Sequence, residues 1–259
     1  MLDEKVIKEE LCKFYPKMPI YIYKSTDSTN TRAKEVANNG YNQNAVFMAD
    51  TQTAGRGRIG RRFISEEEKG LYLSILLGSE HSQKSGLAIT TYMAVIASRV
   101  IEKLSPLSVK IKWVNDIFAG GKKVSGILTE GKTNADTGKL EYTVCGIGIN
   151  VLNQGFDSEV KNIATSIEDE CGIKLDISVL AVEIIRDFFD NLHLVGTTTI
   201  SEEYKKRSFI IGKRVDVIKP AVTYKATVLD ITNDCALLLQ TNSGEREILF
   251  TGEVSIKVD

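Results

Sequence analysis

The chain has 259 residues, with 33 Lys and Arg against 34 Asp and Glu, and its formal net charge at pH 7 is -1. This balance argues against a protein coated in basic surface for nucleic acid. The hydrophobic fraction of 42% and the charged fraction of 26% are typical of a globular protein with one large core and room for a small second domain.

Cysteine and histidine usage supports neither a disulfide framework nor a zinc site. Cys12, Cys145, Cys171 and Cys235 are widely spaced without a CxxC pair, and only two histidines accompany them. The N-terminal segment MLDEKVIKEE is charged, and no run of 18 apolar residues occurs, so we expect no signal peptide and no membrane span. We therefore predict a cytoplasmic protein and no metal site built from the chain's own side chains.

The first part of the chain alternates between strand and helix patterns. A short strand at 20–23 and a polar loop precede a helix that begins near Ser28 or Thr29 and ends at the next glycine. The apolar runs 45–50 and 71–77 have the length of strands. We predict that both lie in one sheet.

A helix and a meander are predicted next. Residues 86–104 carry apolar side chains at helical spacing and stop before Pro106, which indicates a helix packed against the sheet. Three strand candidates follow at 109–116, 123–131 and 140–151, joined by the turn segments AGGK and KTNADTGK. This order predicts antiparallel pairing.

The last part of the chain changes character. Residues 177–195 form a second long amphipathic pattern, and 200–208 predict a shorter helix. Short β-rich segments separated by turn residues then continue to the end, which is typical of a small barrel or sandwich. We predict a catalytic domain at 1–209 and a second domain at 210–259.

The segment TQTAGRGRIGRRF, residues 51–63, carries four arginines and three glycines between two predicted strands. Glycines let a backbone fold over a ligand, and guanidinium groups neutralise carboxylate and phosphate oxygens that would repel each other. This segment, which we call the arginine loop, therefore predicts an enzyme that activates a carboxylic acid with ATP, because that reaction joins two anions.

Other interpretations of the arginine loop exist. Gly55, Gly57 and Gly60 match GxGxxG, but RRFISEEEKG after them is too polar for the helix that a dinucleotide-binding domain needs. A nucleic-acid-binding loop conflicts with the neutral net charge and with the lack of aromatic residues among the arginines. A solvated basic turn without function stays open when the loop is considered alone.

A second group of polar residues lies in KWVND and the following GGKKVSGIL. Lys112, Asn115, Asp116 and Lys123 surround a predicted tight turn and could supply a further cation and polar contacts for the acid. Lysines beside such turns are often only solvated. The prediction of a site therefore depends on their occurrence together with the arginine loop.

Six motifs taken together resemble the biotin protein ligases. DSTN, QTAGRGRIGR, KWVNDI, KVSGIL, GIGINV and ATSI occur in this order over residues 27–167. The resemblance implies an α+β fold with a mixed, largely antiparallel sheet flanked by helices, as in class II aminoacyl-tRNA synthetases, and a small C-terminal SH3-like β-barrel. It also implies that biotin and Mg-ATP give biotinyl-5'-adenylate, which a lysine of a biotin carboxyl carrier domain then attacks.

The resemblance also assigns site residues. Those implied for biotin are Ser28, Thr29, Asn30, Gln52, Gly55, Arg56, Gly57, Arg58, Lys123 and Gly126. Those implied for ATP are Arg56, Arg58, Phe63, Lys112, Asn115, Lys123 and Asn150. The catalytic residues would be Lys123, Arg58 and Asp116, with Asp116 orienting a metal or accepting a proton from the incoming amine. Lys122 competes with Lys123, but strand alternation disfavours it.

Some positions depart from the family or stay open. Val114 stands where the family often has proline, and Phe63 where it often has tryptophan, so a flat ring is kept but the indole donor is lost. Lys257 would correspond to a basic nucleotide contact of some relatives. Gly146 and Gly148 would either allow close approach of the backbone to the nucleotide or mark a bulge.

Two alternative functions are an enzyme that transfers lipoate or octanoate and a DNA-binding repressor. A lipoate- or octanoyl-transferring enzyme shares the catalytic architecture, but it needs an apolar tunnel where DSTN offers a polar pocket. Some relatives carry an N-terminal helix-turn-helix and act as repressors, whereas only about 20 residues precede the first strand here, too few for such a module. We expect a ligase without direct DNA binding; a homodimer stays open.

Overall fold

A computed structural model describes residues 1–153, 155–156, 160–219 and 222–256. The first unit contains a seven-stranded sheet with helices on both faces, and the second is a five-stranded antiparallel sheet. The strands of the first sheet are β1 (Ile20–Thr26), β2 (Ala45–Gln52), β3 (Gly70–Leu77), β4 (Lys110–Lys112), β5 (Asp116–Ala119), β6 (Lys122–Thr133) and β7 (Leu140–Asn150). Its helices are α1 (Glu4–Cys12), α2 (Thr29–Asn38), α3 (Gly86–Leu104), α4 (Ile167–Cys171), α5 (Ile177–Asp190) and α6 (Thr198–Arg207).

The first sheet has the order β1-β2-β3-β7-β6-β5-β4. Only β1 and β2 pair in parallel, and every other neighbouring pair is antiparallel. The second sheet consists of β8 (Arg214–Lys219), β9 (Val222–Ile231), β10 (Leu237–Thr241), β11 (Arg246–Leu249) and β12 (Glu253–Ile256). The predicted α+β class, with a largely antiparallel mixed sheet and an all-β C-terminal unit, is confirmed.

The two faces of the first sheet are covered unequally. The long helix α3 buries most of its residues between the sheet and the helices α5 and α6, which forms the main core. The other face carries α2, which packs on β2, β3 and β7 through Ala33, Phe47, Leu76 and Val144. Since α2 has only ten residues, part of this face stays open for a site.

Residues 109–116 were predicted as one strand, and this prediction is wrong. The chain turns at residues 113–115, so that β4 and β5 pair with each other, and the peptide bond between Trp113 and Val114 is cis. Trp113 is buried and donates a hydrogen bond from Nε1 to the carbonyl oxygen of Cys235, at 2.8 Å. The Trp113 side chain, which strand periodicity places in the first sheet, therefore connects the first unit to the second.

The helical predictions need smaller corrections. The N-terminal segment, predicted only as charged, forms α1, because Asp3 caps it and Ile7 and Leu11 bury their side chains in the core. The helix predicted over 177–195 ends at Asp190 and continues as a single 3-10 turn.

None of the helices in the described part of the chain combines the length and apolar composition of a membrane span.

Candidate active site

A cavity of about 120 Å³ opens on the face of the sheet that carries α2. Its walls come from the start of α2, the arginine loop, the strands β5, β6 and β7, and the start of β12. Most of the predicted site residues line it. They are Ser28, Thr29, Asn30, Gln52, Arg56, Gly57, Arg58, Phe63, Lys112, Asn115, Asp116, Lys123 and Gly126, with Gly146 and Gly148 beside them.

Two predicted site residues lie behind the cavity wall. Gly55 accepts a backbone hydrogen bond from Phe63, and a side chain at position 55 would collide with the Phe63 carbonyl oxygen. Asn150 is buried, and its amide donates to the carbonyl oxygen of Thr165 at 3.0 Å. Both residues therefore support the site from outside in this structure. Lys257 lies outside the described residues.

The arginine loop is folded as a small hairpin. Gly57 N donates to Arg61 O at 2.7 Å, and Phe63 N donates to Gly55 O at 3.0 Å. A single 3-10 turn over Arg58–Gly60 closes the hairpin, and Gly60 has the positive φ of 71° that a glycine adopts without strain. The glycine-containing backbone thus forms a defined hairpin, and all four of its arginines line the cavity.

One end of the cavity is polar and uncharged. Ser28, Thr29 and Asn30 are each less than 5% exposed, although they carry polar side chains. Thr29 N donates to Gln52 Oε1 at 2.9 Å, and Gln52 Nε2 donates to Ser65 Oγ at 2.9 Å. Ser28 precedes α2 without capping it through its side chain. Buried hydroxyl and amide groups of this kind suit a small polar ring without net charge.

The other end of the cavity is cationic. Of the described residues that line the whole cavity, six carry positive charge and two carry negative charge, so an anionic ligand is favoured. Lys123 Nζ lies 2.6 Å from Asp116 Oδ1, as a close ion pair without the alignment of a hydrogen bond. Burial lowers the pKa of Lys112 from its ordinary value, and the charge of Asp116 opposes that effect.

Arg58 connects three parts of the site. Its guanidinium donates to Asn115 Oδ1 at 3.3 Å and to the carbonyl oxygen of Gly252 at 2.7 Å. Burial lowers the pKa of Arg58 from its ordinary value, against the charges of Asp116 and Glu253, but an arginine stays protonated in proteins. Arg58 therefore brings a partly desolvated positive charge to the cavity and ties the arginine loop to the second unit.

Three glycines make the floor of the cavity flat. Gly126 on β6 is paired with Gly148 on β7, and a Cβ at position 126 would lie 3.0 Å from Lys123 Nζ. A Cβ at position 148 would collide with the Phe63 ring, and one at position 146 with the Asn30 side chain. The register of β6 and β7 is continuous here, so Gly146 and Gly148 permit close approach and mark no bulge.

Comparison with known proteins agrees with this geometry. Residues 22–150 match the biotin/lipoate A/B protein ligase family, and residues 210–257 match the biotin protein ligase C terminal domain. The bifunctional ligase/repressor BirA of Bacillus subtilis is 34% identical over 226 residues, which cover 85% of this chain and 69% of BirA. The chain belongs to the biotin protein ligase family.

Other relatives extend the similarity of this ligase. The biotin-acetyl-CoA-carboxylase ligase of Mycobacterium tuberculosis is 26% identical over 261 residues, covering 98% of this chain and 95% of that protein. A solved structure of the biotin protein ligase from Aquifex aeolicus in complex with biotin and ATP superimposes with a TM-score of 0.79 at 24% identity. It covers 92% of this chain and 98% of that one, so the two share the fold.

Several residues of the ligase cavity were missed from the sequence. Apolar wall residues come from β3, the 113–115 turn and the strands β6 and β7, where the periodicity marks them only as sheet residues. They are Leu73, Trp113, Ile127, Leu128 and Ile147. Glu253 and Val254 of β12 also line the cavity, and Glu253 pairs with Arg61 at 2.7 Å. No local pattern identifies these two, because only the packing of the second unit brings them there.

Proposed function

We propose that this ligase binds biotin at the polar end of its cavity and ATP at the cationic end, joins them as biotinyl-5'-adenylate, and transfers biotin to a lysine of a biotin carboxyl carrier protein. The observation that carries the proposal is the presence of both ends in one cavity: buried uncharged hydroxyl and amide groups lie beside six cationic side chains. Biotin has a polar uncharged ureido ring and an anionic carboxylate, which match these two ends.

In the proposed complex, the ureido ring contacts Ser28, Thr29, Asn30 and Gln52, whose side chains converge on the polar end. The valeryl chain of biotin then runs over the glycine floor, and its carboxylate reaches Lys123. The flat floor favours this path because a side chain at position 126 would crowd Lys123 Nζ. Each end of the cavity would thus recognise one end of the same molecule.

In the first step, a carboxylate oxygen of biotin attacks the α-phosphorus of ATP, and the bond between the α-phosphorus and the bridging oxygen to the β-phosphate breaks. Lys123, Arg58 and Lys112 would neutralise the charge that collects on the phosphoryl oxygens and on the leaving pyrophosphate. The Phe63 ring, held beside Gly148, would pack against the nucleotide. Asn115 would contact it from the turn between β4 and β5.

Mg²⁺ is proposed to enter as part of Mg-ATP. Among the residues that the structure describes, no group of three His, Cys, Asp or Glu side chains could hold an ion by itself. Asp116 offers one carboxylate, already paired with Lys123. The triphosphate would therefore supply most of the ligands, and Asp116 could add one.

In the second step, the amine of a carrier lysine attacks the carbonyl carbon of the mixed anhydride, the amide bond forms, and AMP leaves. The amine must lose a proton before it can act as a nucleophile, since a free lysine is protonated at neutral pH. Asp116 directly follows the turn between β4 and β5, and it lines the cavity. The proton acceptor and metal ligand roles of Asp116 both stay open in the proposal.

The proposal is tested by exchange of labelled pyrophosphate into ATP, with biotin, lipoate, octanoate or no acid added to the purified protein. We expect exchange with biotin alone, because the polar end leaves no apolar tunnel for an aliphatic acid. Exchange with lipoate or octanoate in place of biotin would keep the chemistry but contradict the substrate. Absence of exchange with every acid, together with steeply salt-dependent binding to nucleic acid, would favour the nucleic-acid alternative.

We further propose that residues 1–259 act as a ligase without operator binding. Helix α1 packs against α5 of the catalytic unit and buries Ile7 and Leu11 there, so it does not form part of a helix-turn-helix in the described residues. A gel-shift titration should show no tight, sequence-specific DNA binding; salt-resistant binding to one sequence would contradict this. The cytoplasmic location stays a prediction from the sequence.

A further inference from the structure

Glu130 lies just outside the cavity but contacts residues at its edge. It is on β6, two residues after the cavity residue Leu128, so strand alternation puts both side chains on the face that carries α2. Its side chain is 21% exposed. Glu130 Oε2 accepts a hydrogen bond from Asn30 Nδ2 at 2.9 Å, and Oε1 lies 2.8 Å from Lys34 Nζ and 3.3 Å from Arg56.

These contacts keep the Glu130 side chain ionised. Burial by itself would raise the pKa of Glu130, but the hydrogen bonds from Lys34 and Asn30 and the charges of Lys34 and Arg56 outweigh it and lower the pKa from its ordinary value. An ionised carboxylate only accepts hydrogen bonds. Glu130 therefore imposes a direction on every hydrogen bond that it makes.

The Glu130 carboxylate first fixes the orientation of the Asn30 amide. Asn30 Nδ2 donates to Glu130 Oε2 and also to the Leu128 carbonyl oxygen at 3.2 Å, and both of these oxygens can only accept. Turning the amide over would place Asn30 Oδ1 against a carboxylate and a carbonyl. The orientation with Asn30 Oδ1 toward Ser74 Oγ, 2.6 Å away, is therefore fixed by its surroundings.

The orientation of Asn30 in turn decides which hydroxyl donates between Ser74 and Thr29. Ser74 Oγ lies 2.6 Å from Asn30 Oδ1 and 2.7 Å from Thr29 Oγ1, but a hydroxyl has only one proton to donate. Because Asn30 Oδ1 cannot donate, the Ser74 proton belongs to that contact, and the Thr29 hydroxyl must donate to Ser74 Oγ. The Thr29 contact to Gln52 Oε1 is longer, at 3.1 Å, and Gln52 Oε1 already accepts from Thr29 N.

We propose that Glu130 is a positioning residue that sets the donor and acceptor pattern of the polar pocket, so that Thr29 Oγ1 presents lone pairs to an N–H group of the ureido ring. The proposal rests on the proposed function, in which this pocket holds biotin. It goes beyond that function because it assigns a role to Glu130, which does not itself contact the ligand. The Glu130 carboxylate also pairs with Arg56, and this ion pair holds the arginine loop against the polar pocket.

The first test is Glu130→Gln, which keeps the shape of the side chain but gives it a donor as well as an acceptor. The Leu128 carbonyl oxygen is then the acceptor that still orients Asn30, because the new amide can face Asn30 with either its oxygen or its nitrogen, so the pattern at Thr29 is held less firmly. We expect calorimetry to show a biotin Kd raised about 10-fold, the effect of one mismatched hydrogen bond in a buried site. The KM for ATP should stay within about twofold of wild type, because the cationic end does not contact Glu130 apart from Arg56.

Glu141→Gln is the matched control. Glu141 also pairs with a lysine and an asparagine, Lys132 at 2.8 Å and Asn134 at 3.0 Å, but it lies on β7 away from the cavity. Its biotin Kd should equal that of wild type. Thermal unfolding of both variants checks that the fold is kept, and an equal biotin affinity of wild type and Glu130→Gln would overturn the proposal.

A second test separates positioning from packing. Asn30→Asp alone places two carboxylates face to face, and we expect it to raise the biotin Kd by more than about 10-fold. In the double variant Asn30→Asp with Glu130→Gln, the new amide donates to the new carboxylate, whose second oxygen still accepts from Ser74. The double variant should bind biotin more tightly than Asn30→Asp alone, because the contact between two carboxylates is removed.

Additive losses in the double variant would contradict the proposed relay through Asn30. The same titrations also distinguish this inference from the function on which it rests. A wild-type protein that does not bind biotin would overturn the proposed function and this inference together. A wild-type protein that binds biotin, with both Glu130 variants unaffected, would overturn this inference alone.

Discussion

Replacement of Lys123 by alanine is expected to abolish adenylate formation. Lys123 Nζ pairs with Asp116 Oδ1 at 2.6 Å on the cavity wall, so the change removes a cation and leaves an unpaired carboxylate there. The carboxylate of biotin and the α-phosphate would then meet one cation less, beside an Asp116 carboxylate that has lost its lysine partner. We expect pyrophosphate exchange with biotin to fall by at least about 10²–10³-fold, as when a charge-stabilising donor is removed from an active site.

Lys122→Ala is the control for this experiment. Lys122 precedes Lys123 on β6, is also half-buried, and is not among the residues that line the cavity. Removal of its charge should leave the exchange rate close to that of wild type. If Lys123→Ala exchanges pyrophosphate at a near-normal rate while Lys122→Ala does not, the catalytic role belongs to Lys122 and the assignment by strand alternation is wrong.

Short sequence motifs were sufficient to predict most of the cavity because each motif forms one continuous piece of its wall. DSTN forms the start of α2, the arginine loop forms a hairpin, and KVSGIL forms the part of β6 that carries Lys123 and Gly126. In each case, the residues that act together are within a few positions of one another. Most of the cavity lining could therefore be predicted from short segments of the sequence, whereas the roles of these residues stay predictions.

Other parts of the site depend on contacts between distant segments. The turn that separates β4 from β5 is stabilised by Trp113, whose indole reaches Cys235 in the second unit, and by Tyr204, which donates to the Val114 carbonyl oxygen at 2.9 Å. Strand periodicity contains no information about either partner. For the same reason, Glu253 could not be placed in the cavity from its own segment.

Asn150 and Glu130 show that the partners of a strand side chain cannot be read from its position in the strand. Asn150 belongs to a motif of the family and was predicted to contact ATP, but here its amide is used by Thr165. The sequence does not distinguish Glu130 from other acids, since an acid near the end of a predicted strand is usually solvated. Its relevance follows from the asparagine, lysine and arginine that converge on it from α2 and the arginine loop.

Replacement of Arg58 by glycine is expected to leave adenylate formation possible but to let the intermediate escape. Lys123 and Lys112 still neutralise the reacting anions, whereas the contacts of Arg58 to Asn115 and to Gly252 are lost. The arginine loop is then no longer tied to the second unit, and glycine adds backbone freedom at its tip. Loss of a charged donor with two partners predicts release about 10²-fold faster.

The expected release is measured by rapid filtration of enzyme loaded with labelled biotin and ATP, followed by the rate at which biotinyl-adenylate appears in the filtrate. Free adenylate should then label lysines of a bystander protein as well as those of the carrier. Arg62→Gly removes the same charge from the same loop, but the Arg62 guanidinium donates to the Thr53 carbonyl oxygen, at 3.4 Å, within the loop itself, so this variant should release the intermediate much more slowly than Arg58→Gly. Unchanged retention and unchanged carrier selectivity in Arg58→Gly would show that the arginine loop does not close over the intermediate, and that the other residues of the cationic end retain it.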